Sequence, residues 1–218
     1  MKQSIPKQNQ CSDSIEFLLS EYSEIFEEFR RVRTEGVQRL NFFVTLTSGV
    51  LGGLAILSQL TALNFFIFQI LGIFLIAVLI LFGWEVFRYL VSRDINSDFN
   101  MRAMGRIRRY FVEKDPEITN YLLWSSDDEP YLLQQYRTLS SLIVTMIYLM
   151  GILITLDTGM ILSISLIPIK AIIAIGVIVF LISIYLLRIY AKKRINMAYA
   201  KALKISKFKK IYDTNDDV

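Results

Sequence analysis

LNFFVTLTSGVLGGLAILS, residues 40–58, and FFIFQILGIFLIAVLILFG, residues 65–83, stand only six uncharged residues apart. At a 1.5 Å rise per residue, each nineteen-residue stretch makes roughly 28 Å of helix, against a hydrocarbon core of about 30 Å. Each is long enough to cross a bilayer, and the short connection returns the second beside the first as a tight antiparallel hairpin. Two further apolar stretches, residues 139–156 and 167–187, repeat the pattern. Pro168 falls near the first turn of the last, where proline is tolerated. The expected fold is therefore all-α: a polytopic membrane protein with four transmembrane helices arranged as two hairpins.

The cations set the expected orientation. Of the 24 Lys and Arg residues, all but Lys170, near the start of the last apolar stretch, lie beyond the ends of the stretches that are remote from the two short hairpin connections. Lysine and arginine near a span are retained on the cytoplasmic side, so both termini are expected inside, with Asp157 and Lys170 the only charges assigned outside. The composition agrees with a membrane protein that keeps a substantial wet part: 54% hydrophobic, 20% charged and a mean hydropathy of +0.44. A net charge of +4 and a pI near 9.1 fit anionic lipid headgroups better than nucleic acid, because the cations cluster beside the spans.

Several functions are excluded in their usual forms. Cys11 is the sole cysteine and there is no histidine, which removes intrachain disulfides, ordinary zinc sites and Ser-His-Asp or Cys-His catalysis. No Walker-type or Rossmann-type glycine loop occurs, and no paired carboxylates stand in a plausible pocket. Neither enzymatic activity nor a cofactor is expected. The first residues, MKQSIPKQNQCSDS, lack the apolar core of a cleaved signal peptide, so the first span is expected to act as the targeting signal.

The regions outside the spans read as helical. From Asp13 to Arg39, Ile15, Leu18, Leu19, Tyr22, Ile25, Phe26 and Phe29 recur at three- and four-residue steps, one apolar face of an amphipathic helix. Asp13 and Glu16 make a capping pair at its start. Glu16, Glu24, Glu27 and Glu28 precede Arg30, Arg31 and Arg33, the order a helix dipole favours. Acidic residues are repelled by anionic lipid, so protein is the expected partner of this helix. The chain divides at residues 1–39 (amphipathic helix), 40–87 (first hairpin), 88–137 (helical insert), 138–190 (second hairpin) and 191–218 (basic tail). In the insert, Ile95, Phe99, Ala103, Ile107 and Phe111 continue a helical stripe until Asp115-Pro116 stops it. A shorter helix to about Trp124 follows, then the loop SSDDEP at 125–130. Pro130 is placed to open a helix through Tyr136 and Arg137 into the third span, and the tail IYDTNDDV is expected to be disordered. An offset of one hundred residues aligns Val44-Thr45 with Val144-Thr145 and Arg88 with Arg188, a faint sign of duplicated hairpins in parallel rather than inverted orientation.

Two groups of polar residues are candidates for function. Asn41, Thr45, Ser48, Gly52 and Gln59 fall along one side of the first span, where Gly49 and Gly53 form a GxxxG pair. Ser141, Thr145, Tyr148 and Thr155 fall along one side of the third. The functional reading is a water-filled path through an oligomer; the plainer one is helix packing by small residues and hydroxyls. No acid or base stands at mid-membrane, which argues against an ion-coupled carrier. Glu85, between Trp84 and Arg88, is expected to pair with Arg88. Arg102, Arg106 and Arg109, with Arg108 adjacent, form a basic ridge that fits a phosphate, a lipid headgroup or an acidic partner. Its plainer reading is a solvated face paired with Glu24, Glu27 or Glu28 of the N-terminal helix.

The amphipathic helix, the Arg-rich entry RRVRTEGVQRLNFFVTLTSGVLGG (30–53), the tight turn, and the second span running into FRYLVSRDINSDFNMRAMGRIRRYF (87–111) together resemble the SLATT type of bacterial membrane protein. That pattern has two spans where this chain has four. The four-span total is similar to related pore-forming effectors of prokaryotic conflict systems. The resemblance implies a homo-oligomeric effector in antiviral defence that opens the inner membrane when a cytoplasmic sensor or regulator protein signals infection. The contrasting expectation is a non-conducting scaffold that recruits a cytoplasmic partner.

Overall fold

The computed structural model describes residues 7–59, 65–124, 126–128, 139–165 and 167–205, with side chains from residue 14 onward. Its helices are α1 (Lys7–Leu57), α2 (Phe65–Lys114), α3 (Ser141–Ile164) and α4 (Ile169–Ile205), with a 3-10 helix at Pro116–Tyr121. Four helices are long and apolar enough to cross a membrane, and no strand occurs among the described residues. The chain is an all-α polytopic membrane protein. A crossing needs about 20 residues, whereas α1, α2 and α4 have 51, 50 and 37. Each therefore carries a span and a polar extension in one continuous helix.

The continuity of α1 corrects two expectations. The helix begins at Lys7 rather than at Asp13, so Asp13 does not stand at its N-terminus. Because it continues to Leu57, Arg30, Arg31 and Arg33 are mid-helix, far from the terminal carbonyls through which a dipole acts. Their charges are used locally: Arg30 pairs with Glu27 at 3.7 Å, Arg31 pairs with Glu28, and the Arg33 guanidinium lies 5.5 Å from the Phe29 ring centre. At the other end of the insert the sequence signal holds. α2 stops at Lys114, and Asp115 caps the 3-10 helix by accepting from the Glu117 N–H at 3.1 Å. That helix ends at Tyr121, short of Trp124. The helix expected after Pro130 and the tail after Ile205 lie outside the described residues.

The second hairpin is also longer than its apolar stretch. α3 runs to Ile164, so Asp157 lies within it and not in the connection. Thr155 and Thr158 return their hydroxyls to the carbonyls of Gly151 and Ile154, at 2.8 and 2.7 Å. These hydroxyls need no partner outside the helix. Pro168 starts α4 as expected: its carbonyl accepts from Ala171 and Ile172 at 2.8 and 3.2 Å.

The chain divides into two compact units. One gathers residues 1–34, 95–136 and 198–218. Its apolar buried residues include Val32, Met104, Ile107 and Ala202. The other gathers residues 35–94 and 137–197 and contains the four apolar stretches. Its core is built from one face of each helix. α1 contributes Leu40, Phe43 and Leu54; α2 contributes Ile76, Leu79, Val86, Phe87 and Leu90; α3 contributes Ile143, Met146, Ile147, Met150 and Leu153. The α3 set recurs at three- and four-residue steps, and the others fall at helical spacings on one face.

Within this unit α1, α2 and α3 meet at Gly83. A methyl group there would run into the Met150 sulfur and come within 2.8 Å of the Phe43 ring. At the polar end of the spans, α1 and α2 are joined by side chains. Tyr89 donates to Glu35 at 2.9 Å, and the Arg39 guanidinium stacks 3.9 Å from the Tyr89 ring centre. The buried Arg93 side chain passes over Gly36 and bonds Asp94. Replacing Gly83 with valine should destabilise the bundle by about 1–3 kcal/mol through overpacking, read as unfolding in mixed micelles. Gly53→Ala, whose new methyl meets nothing within 4 Å, should stay within about 0.5 kcal/mol.

Candidate functional site

The polar stripe of α1 lies opposite that helix's buried face. Leu40, Phe43, Thr47 and Leu54 turn inward, while Asn41, Thr45, Ser48, Gly52 and Gln59 are exposed. At Gly49, Gly52 and Gly53 an added methyl group meets nothing within 4 Å. The protomer's own helices thus leave uncovered the one face of α1 that is both polar and small. Thr47, which does turn inward, has a buried hydroxyl with no hydrogen-bond partner among the described residues.

The stripe of α3 divides in two. Ser141 and Thr145 are exposed and face away from the Ile143–Met146–Ile147–Met150 core. Tyr148 is tied down within the unit, its hydroxyl accepting from Arg188 at 3.0 Å. Thr155 is half-buried, bonded to the Gly151 carbonyl and 3.4 Å from where a methyl on Gly176 would stand. Thr155 therefore serves packing; Tyr148, although bonded to Arg188, is exposed like Ser141 and Thr145.

Gln69 was not among the sequence candidates. It is 5% exposed on α2 and donates to Ser163 of α3 at 2.7 Å, and Ser163 in turn donates to the Met160 carbonyl at 2.7 Å. An interhelical bond in an apolar stretch satisfies groups that lipid cannot. The available signal was the single amide inside FFIFQILGIF. Glu85 and Arg88 form the expected pair at 3.2 Å, exposed on both sides.

The arginines of the insert are held inside their unit. Arg102 is 7% exposed; it donates from Nε to the Asp128 carbonyl at 2.6 Å and from a terminal nitrogen to the Ala202 carbonyl at 3.0 Å. Arg106 reaches the Asp128 carboxylate at 2.7 Å and the Ile205 carbonyl at 3.3 Å. The two guanidiniums thus tie the 126–128 segment to backbone carbonyls of the last described turn of α4. Arg109 pairs with Glu113 at 2.8 Å, and Arg108 donates to the Tyr22 hydroxyl at 3.1 Å. The acid that binds the centre of this ridge is Asp128 of the neighbouring loop. Among the described residues no group of carboxylates or thiols is placed to hold a metal ion.

No protein-family model, curated protein or solved structure matches this chain.

Asp128 is fully buried, while the Arg106 guanidinium that it pairs with is 37% exposed and can turn to water when the carboxylate is removed. Asp128→Ala should lower stability by about 1–3 kcal/mol, measured by thermal unfolding in detergent. Arg30→Ala, which breaks a pair with 66% and 69% exposure, should change it by less than about 1 kcal/mol.

Proposed function

We propose that this chain is the protomer of an oligomeric, channel-like protein of the bacterial inner membrane. It acts without enzymatic chemistry, as a pore-forming effector in antiphage defence gated through its helical extensions. One observation carries the oligomeric channel reading: Asn41, Thr45, Ser48 and Gly52 occupy a face of α1 that the protomer leaves uncovered. Amides and hydroxyls turned to lipid tails are unfavourable, and the open glycines allow another helix to approach closely. A second copy of the chain, with water between the copies, satisfies both conditions. Thr145 on α3 is exposed as well. The defence role and the dependence on a sensor protein rest on the resemblance of the chain's architecture to SLATT-type and related effectors.

A scaffold reading has its own support in Phe17, Leu19 and Phe26, which are 66%, 56% and 44% exposed. They leave apolar surface on α1 for a protein partner. If docking there is the whole function, deleting residues 1–35 abolishes partner pull-down without altering insertion, and liposomes carrying the protein never leak.

The channel reading is tested in liposomes carrying purified protein with Cys11 replaced by serine. Single cysteines at Asn41, Thr45 and Ser48 should react with a charged, membrane-impermeant thiosulfonate and lower ion flux once modified. Cysteines at Phe42 and Leu46 should not react. Thr45→Leu combined with Ser48→Leu should reduce flux severalfold by drying the path. A barrier that stays intact at every voltage and trigger applied, or reactivity without the 41, 45, 48 period, contradicts the reading.

A further inference from the structure

The Tyr89–Arg39 stack forms part of an open cavity of about 550 Å³ lined by α1, α2 and α4. All of its lining belongs to the unit that holds the four spans. The lining changes character along the helices. Phe42 and Phe82 stand at the end nearest the apolar stretches, and both rings are exposed, at 59% and 37%. Arg39, Arg88 and Arg194 stand just past the points where the apolar stretches of their helices end. Glu85 is the only carboxylate in the lining, so three guanidiniums face one acid.

The cations are differently held. Arg39 is braced on Tyr89, Arg88 on Glu85, and Arg194 makes no ion pair among the described residues. On the α4 side, Tyr190 closes the wall by packing on Trp84 and Phe87, with ring centres 5.0 and 5.9 Å apart.

We propose that this cavity binds the phosphate headgroup of an anionic phospholipid, with Arg39, Arg88 and Arg194 around the phosphate and the acyl chains against Phe42 and Phe82. Guanidinium groups match phosphate oxygens in geometry as well as charge. Basic pockets between membrane helices at the level of the headgroups are suited to such lipids. A soluble phosphate compound satisfies the arginines equally well. It has no use for two exposed phenylalanines at the apolar end, and that favours the lipid. The site is independent of whether the oligomer conducts.

Trp84 packs on Tyr190 and so reports on occupancy. With Trp124 replaced by phenylalanine, the protein is reconstituted in vesicles carrying either brominated phosphatidylglycerol or brominated phosphatidylcholine at equal mole fraction. Phosphatidylglycerol should quench Trp84 preferentially, and its apparent affinity should fall roughly fivefold for each guanidinium removed in Arg39→Gln and Arg194→Gln. Lys192→Gln with Lys193→Gln removes two exposed charges from the same turn of α4 without touching the lining, and should keep the preference. Equal quenching by both lipids overturns the proposal, as does equal loss in the lysine variant, which marks a diffuse surface charge effect. Inorganic phosphate or soluble glycerophosphate that abolishes the preference at millimolar concentration also overturns it, in favour of a soluble ligand.

Discussion

Hydrocarbon offers no partner to a charge, a hydroxyl or a backbone amide, and the structure follows from where each such group finds one. Backbone groups are satisfied by four long helices. Most side chains answer locally: Thr155 and Thr158 bond one turn back, and Gln69 finds Ser163 on the neighbouring helix. Asn41, Thr45 and Ser48 are the exception, since no helix among the described residues covers them. That uncovered face is the basis of the proposal that another copy of the chain, with water between the copies, meets it.

Arginine serves in three ways, separated by burial. Arg102 and Arg93 are nearly fully buried, one fastening a loop and a helix end, the other crossing the glycine-lined contact between α1 and α2. Their loss leaves uncompensated partners, so they act on stability. Arg30 and Arg31 lie on the surface with glutamates one turn away and contribute little. Arg39, Arg88 and Arg194 are exposed but converge on one cavity. Three guanidiniums with one acid, Glu85, among them are the basis of the lipid-site proposal.

Much of the fold was legible in the sequence because lipid imposes a simple rule on length and polarity. The four apolar stretches, the stop of α2 before Asp115-Pro116 and the Glu85–Arg88 pair all follow from neighbouring residues. The continuity of α1 through Glu35 and Gly36 was less visible, because a change in polarity looks like a boundary while the helix needs only the absence of a breaker. The extension of α3 past Asp157 escaped for the same reason. The partner of Arg106 was unreadable: a ridge of cations does not say which acid it meets, and Asp128 is no more suggestive in sequence than Glu24 or Glu27. Of the site, the polar period of α1 was evident. Its outward direction was not, because facing is decided by which side Phe43 and Leu54 bury.

The central claim is that the chain threads the membrane as two hairpins with its cation-rich extensions on one side, and single-cysteine labelling tests it most directly. In a Cys11→Ser background, a membrane-impermeant maleimide is applied to intact spheroplasts and to inverted vesicles. The account predicts that a cysteine at Gln59 reacts only in spheroplasts and one at Lys193 only in inverted vesicles. Reaction of both positions from the same face contradicts it.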